Sequence, residues 1–228
     1  MTPRELFTLQ LGRANSKSPS VADYDMACAY TNILKADILA LADWRFLYLV
    51  GTLTTVANDG TYDLASGVAY PIHWWDVTNN NPMEFKNPED IIRENPAQDF
   101  TGSGLQVAVT GRDNTTGLWQ VMIFPTPSTA GETLKYRYKG TVADFTVSDT
   151  TTTLLYLFPD WFRNALFWGG AALLKEDKED PTAEKDWEKF RGSIDLGIQE
   201  NRIVGPPPEI QVGGRGPQRL KINFDVTQ

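Results

Sequence analysis

The stretch LFPDWFRNALFWGGAALLKEDKED, residues 157–180, constrains this chain more than any other. A helix through it carries Trp161, Phe162, Ala165, Leu166, Phe167, Trp168, Ala171, Ala172, Leu173 and Leu174 around nearly its whole circumference. A helix that is apolar all round must be buried all round. It does not suit a bilayer, which asks for roughly 18 or more consecutive apolar residues. Asp160 and Arg163 interrupt the run early, and Ala165 to Leu174 alone is too short. Two coverings remain: the helix is central in a bundle of its own chain, or one face waits for another subunit. The charged tail from Lys175 to Asp180 reads as a solvated helix end.

The flanking elements supply part of a bundle. Thr2, Pro3 and Glu5 form a capping box with proline at the first helical position, followed by Leu6, Phe7 and Leu11 on one face. Ser20 and Asp23 cap a second helix. Its stripe of Tyr24, Ala27, Cys28, Thr31, Leu34, Ile38 and Leu41 has the spacing of one buried face, and the helix ends near Asp43. Asp180 and Pro181 open a last helix with Ala183, Trp187, Phe190, Ile194 and Ile198 inward and charge outward. Between Trp44 and Gly140 the texture is β. Asn58-Asp59-Gly60 in WRFLYLVGTLTTVANDGTYDL signals a hairpin. GVAYPIHWWDV is a strand in which Pro71 favours an edge or a break. Asn87 and Pro88 start a short helical turn. LQVAVT and LWQVMIF flank a second hairpin at GRDNTTG, and ETLKYRYKG alternates Leu134, Tyr136 and Tyr138 against Lys135, Arg137 and Lys139. The expected fold is α+β: helices of a bundle from residues 1–43 and 154–204, an inserted antiparallel β domain over 44–153, and an extended arm over 205–228.

Chemistry is sparse. His73 is the one histidine, so a histidine-based triad or multi-histidine metal site is hard to build. The acidic groups NDGTYD and GRDNTTG lack EF-hand spacing and are explained by turn chemistry. Asp99, Asp113 and Asp144 lie in or near loops, with nothing to pair them. The G-x-G of TGSGLQ has no third glycine. No catalytic residue, metal ligand or cofactor is expected. Cys28 is the lone cysteine and packs as a small apolar side chain. MTPRELFTLQLGRANS lacks the long apolar core of a signal peptide. A net charge of −8 disfavours non-specific nucleic-acid binding, which needs clustered positive charge. Trp74, Trp75 and Trp119 leave one alternative in the β region, a carbohydrate- or receptor-binding module, against core packing of the same rings.

Three stretches carry a resemblance: ILKADILALADWRFLY, NDGTYDLASGVAYPI, and MIFPTPSTAGETLKYRYKG followed by the apolar helix. In this order they resemble the head-to-tail adaptor proteins of short-tailed phages, the tail tubular A-like family, over roughly Asp23 to Arg202. Ala65 in place of the usual proline, and HWWD, depart from the family pattern. The resemblance implies a structural virion protein of the neck, assembled in the host cytoplasm. It implies a homo-oligomer, a dodecameric ring docked beneath the portal protein. Such a ring extends the DNA channel, passes genomic DNA without tight binding during ejection, and offers a platform to tail nozzle or tail fibre proteins. In that setting Trp161, Phe162, Ala165, Trp168, Gly169 and Gly170 become candidate subunit-interface residues, with Gly169-Gly170 admitting another backbone. The central-helix reading of the same residues stands beside it.

The end of the chain, GPPPEIQVGGRGPQRLKINFDVTQ, has no helical period. Its proline-rich start is stiff and its glycine-rich middle loose. Leu220, Ile222, Phe224 and Val226 alternate with Lys221, Asn223 and Asp225, the period of a strand with one buried face. With Arg215, Arg219 and Lys221 the arm is basic against an acidic body. It is expected to dock on the portal or on a neighbouring subunit, or else to pair with its own β domain.

Overall fold

The structure is a computed structural model describing residues 1–94, 96, 100–103, 106–150 and 158–203. It is mixed α+β, with five α-helices among those residues. Two compact units separate: Met1–Tyr48 with residues 141–203, and residues 49–140. The arm over 205–228 lies outside the described residues.

The first unit holds α1 (Pro3–Arg13), α2 (Val21–Leu41), a 3-10 turn (Arg45–Leu47), α4 (Asp160–Glu176) and α5 (Ala183–Ile203). Both N-terminal capping boxes form as the sequence specifies. Thr2 Oγ1 accepts from the Glu5 amide while the Glu5 carboxylate accepts from Thr2 N, and Ser20 and Asp23 repeat the arrangement. Pro159 stands at the N-cap of α4, and Asp180 Oδ1 accepts from Thr182 N at 2.8 Å just before α5. The helix α4 packs against α1, α2 and α5.

Trp44 was read from its β-rich surroundings as the start of a strand. It is instead fully buried among helices, its indole donating to Ile38 O at 2.6 Å. Its ring meets Trp161 at 4.7 Å, and Phe46, Phe158 and Phe162 complete the aromatic group. Each such ring pair is worth about 0.5–1.5 kcal/mol beyond area burial. Residues 141–147 belong to the same unit: Asn32 exchanges hydrogen bonds with both backbone groups of Phe145, and Cys28 Sγ donates to Phe145 O.

In the second unit the sheet order is β1 (Tyr48–Thr54), β10 (Thr133–Gly140), β3 (Val68–Asp76), β4 (Asn81–Pro82). A second sheet runs β2 (Thr61–Asp63), β8 (Trp119–Phe124), β7 (Gln106–Arg112), β5 (Glu84–Phe85). The short pair β6 (Thr101–Gly102) and β9 (Thr126–Pro127) stands apart, and α3 (Pro88–Glu94) follows β5. The hairpin at GRDNTTG is present as β7–β8. The turn at Asn58-Asp59-Gly60 exists, with Asn58 at φ 61°. It is not a hairpin, however: β1 and β2 belong to different sheets. Turn residues fix the chain reversal but not the partner, and β2 finds its ladder on β8. The region is also not wholly antiparallel, because β5–β7 and β6–β9 run parallel. Pro71 sits opposite Tyr138 where the β10–β3 register shifts, a position that tolerates a missing donor. The core gathers Leu53, Tyr62, Leu64, Val107, Val121, Ile123, Leu134 and a Trp74–Tyr136 stack at 4.7 Å. Gly51 is required there, since a Cβ would meet the Tyr136 ring at 2.4 Å.

Candidate functional site

The apolar helix is covered by its own chain. Trp161, Phe162 and Ala165 are buried in the helical core. A Cβ on Gly169 would lie 2.9 Å from Leu34 and Phe190, and one on Gly170 2.2 Å from Gln10. The close approach the two glycines permit is therefore filled by side chains of α1, α2 and α5, which is the central-helix arrangement. Of the six residues read as a subunit interface, only Trp168 keeps accessible surface. Its ring lies between two cations, with the Lys189 ammonium 3.8 Å and the Arg13 guanidinium 5.4 Å from the centroid. The arm residues Arg215, Arg219, Leu220, Lys221, Ile222, Phe224 and Val226 fall outside the described residues.

Beside Trp168 lies a buried ionic cluster. The Asp186 side chain is 0% exposed; it takes Lys175 Nζ at 2.8 Å and Arg13 through both Nη2, at 2.9 Å, and Nε, at 3.3 Å. Lys175 is 4% exposed, so it does not belong to a solvated helix end. Its ammonium is drawn inward because Asp186 sits on the buried stripe of α5. Burial pushes the Asp186 carboxyl up, but the hydrogen bonds from Arg13 and Lys175 outweigh it and hold its pKa below the ordinary carboxylate value. The cluster thus ties α1, α4 and α5 together at one point. Gln10, fully buried, joins α1 to α4 through Leu166 O at 2.8 Å and to α2 through Thr31 at 3.1 Å. Lys35 reaches from α2 to Ala143 O and the Asp144 carboxylate. Its stem is buried on the face that also holds Leu34 and Ile38.

These polar residues were missed in the sequence although each occupies a stripe position: Gln10 beside Leu6 and Phe7, Lys35 beside Leu34 and Ile38, Lys175 beside Ala171 and Ala172, Asp186 between Ala183 and Phe190. Polar residues at apolar periodicity were the available signal.

The two long helices also show faces that no described residue covers. On α2, Ala29, Ile33, Ala36 and Ala40 are exposed at three- and four-residue spacing, with Ala22 seven residues before Ala29 on the same side, and Leu41, assigned to the buried stripe, is exposed as well. On α5 the exposed line is Lys185, Lys189, Gly192, Leu196 and Gln199. The described residues form no group of three or more His, Cys, Asp or Glu suited to a metal ion. Among them no helix is long and apolar enough to cross a membrane. His73 is exposed on β3 opposite Arg137. Asp113 accepts from the amides of Thr115 and Thr116, as turn chemistry requires. Of the three tryptophans of the β unit, Trp74 is stacked in the core, Trp119 packs against that core with Arg112 over its ring at 4.7 Å, and Trp75 is half-buried on β3.

Compared with known proteins, the chain matches one family model, described as SU10 adaptor protein, over residues 9–207. No curated protein matches it.

Proposed function

Because the chain belongs to the SU10 adaptor protein family, a phage head–tail adaptor family, we propose that it is a ring-forming structural protein of the virion neck. The observation that carries this reading is the length of the match, which runs from within α1 through the whole β unit to the end of α5. In this reading the four long helical segments form a bundle from both chain ends with the β unit inserted. Copies close into a dodecameric ring beneath the portal, the ring prolongs the DNA channel, and tail nozzle or tail fibre proteins attach below. The protein works by shape and contact rather than by catalysis. The basic arm after Gly205 docks on the portal or on a neighbouring subunit by adding a strand to a sheet edge, which satisfies backbone groups a lone strand cannot.

Ring closure requires heterologous contacts, one surface of a copy meeting a different surface of the next. Trp168 supports a place for this, as the accessible remnant of the α4 face. Trp168→Asp is expected to weaken assembly at least tenfold, roughly the loss of one central aromatic contact. The new carboxylate lies between Arg13 and Lys189, so the monomer keeps its fold. Sedimentation velocity over a concentration series reads the first effect and circular dichroism the second; unchanged assembly removes Trp168 from the interface.

A channel wall that must pass DNA should not hold it. With net charge −8, duplex affinity at physiological salt is expected to be weaker than about 1 μM, since tight non-specific binding rests on several Lys or Arg contacts to phosphates. Fluorescence anisotropy with a labelled duplex checks this, and submicromolar binding contradicts it.

A further inference from the structure

The β unit offers one long, unguarded sheet edge, and we propose that the arm strand from Leu220 to Val226 of one copy pairs with β1 of the next. The inference rests on the ring reading and deepens it by naming where the arm docks. In the order β1-β10-β3-β4, no strand among the described residues lies beyond β1. β1 has seven residues, whereas the other edge strands among the described residues, β2, β4, β5, β6 and β9, have two or three. β3 and β7 also run past their short neighbours. Folded proteins guard such edges with proline, bulges or charge. β3 has Pro71 and two register shifts, and β7 has the shift before Gly111 and ends in Arg112. β1 is YLVGTLT, with no proline and no charged residue.

The arm continues the pattern of the sheet. Leu53 is buried and Gly51 lies against the Tyr136 ring, so by alternation Leu49 also points to the core side, yet it is 42% exposed. Val50, Thr52 and Thr54 are exposed on the other side. The arm alternates in the same way, with Leu220, Ile222, Phe224 and Val226 against Lys221, Asn223 and Asp225. Laid along β1, its apolar side covers Leu49 and its polar side joins Thr52 and Thr54. Its backbone supplies partners to the groups of β1 that face away from β10. Because β1 is uncharged, no like charges meet across the new pair.

The length of the arm points to the neighbour rather than to its own chain. At the end of α5, Asn201 accepts from Arg45 N and donates to Asp43 O, both at 3.1 Å, so the arm leaves beside the chain's own entry into β1. β1 extends about 23 Å at 3.3 Å per residue. The tether over residues 204–219, stiffened by Pro206, Pro207 and Pro208, reaches up to about 50 Å when extended. Its own β1 needs only about half of that in either direction. An arm on a neighbour's β1 sets one surface against a different one, the contact that closes a ring.

The test is cross-linking in the full-length protein. Thr52→Cys/Asn223→Cys sets one thiol at an exposed position of β1 and one on the polar side of the arm, while the buried Cys28 stays in place. The double variant is treated with a short bismaleimide, and each single variant serves as control. The native mass of untreated protein is measured in parallel, with portal rings added where the free chain is monomeric. Docking on the neighbour predicts a ladder of dimers, trimers and higher multimers from the double variant and monomers from either single variant. An internally linked monomer means that the arm pairs with its own β1, and overturns the inference. Dimers from a single variant mean that like segments meet, and overturn it as well. An assembly of ring mass with no ladder overturns this contact while the ring reading stands. Absence of both, with portal present, removes both. Leu49→Lys tests the edge alone by placing a charge where the arm's apolar side should lie. Because Leu49 is already exposed, melting is expected to stay within about 3 °C of wild type. Association is expected to fall roughly tenfold, the loss of one well-packed contact; unchanged association overturns the inference.

Discussion

Replacing Asp186 with alanine is expected to destabilise the protein by about 3–5 kcal/mol, the usual consequence of removing one partner from a buried ion pair. The cost lies less in the lost attraction than in what remains. Lys175, 4% exposed, is left as a buried ammonium with its counter-charge gone, whereas Arg13, 40% exposed, can turn to water. Chemical denaturation measures the loss. Lys175→Met/Asp186→Leu removes both charges and is expected to recover most of it, because apolar residues of similar volume commonly replace a buried pair without penalty. If Asp186→Ala costs under about 1 kcal/mol, a surface-pair value, the cluster is not the clasp described here.

The same cluster fixes a pH dependence. Asp186 titrates below its ordinary value in the folded chain, so its contribution to stability is fully present above the unfolded carboxylate pKa of about 3.9 and is lost as pH falls through the folded value. The wild-type melting temperature should fall as the solution is acidified below about pH 5. Asp186→Asn should melt lower at neutral pH and show a shallower acid decline.

Truncation after Gly205 is the change with the largest expected effect on function. The helical unit keeps its core, its caps and its ionic cluster without the arm, because all of these come from residues before 204. Melting of the truncated chain is expected to stay within about 3 °C of full length, about the shift that 1 kcal/mol produces in a chain of this size. Attachment to the portal or to a neighbouring subunit is expected to be abolished. The alternation of Leu220, Ile222, Phe224 and Val226 gives the strand a face to bury, and Arg215, Arg219 and Lys221 guide it toward an acidic partner. A large drop in melting temperature with attachment preserved would make the arm a structural strand of its own chain.

The helices were legible because their signals are local. Thr2 and Glu5, and Ser20 and Asp23, act within one turn, and the apolar stripes of α2 and α5 repeat over about four turns. Sheet partners were less so. Asp59-Gly60 specifies a reversal, but that β1 and β2 then separate into different sheets depends on contacts with β10 and β8, more than fifty residues away in the chain. Trp44 shows the same limit, since a tryptophan in a β-branched stretch carries nothing local to send it into a helical core. The apolar circumference of α4 said that the helix must be covered but not by whom. Leu34, Phe190 and Gln10 cover it from within. Among the apolar residues left exposed are Ile33 on α2 and Leu196 on α5, hidden in sequence by apolar neighbours facing the other way.

The central claim is that this chain closes into a ring on a portal, and the most direct measurement is the native mass of the full-length protein alone and with purified portal rings. The account predicts one discrete complex carrying a closed, dodecameric complement of copies per portal ring. A protein that remains strictly monomeric in the presence of the portal would contradict it.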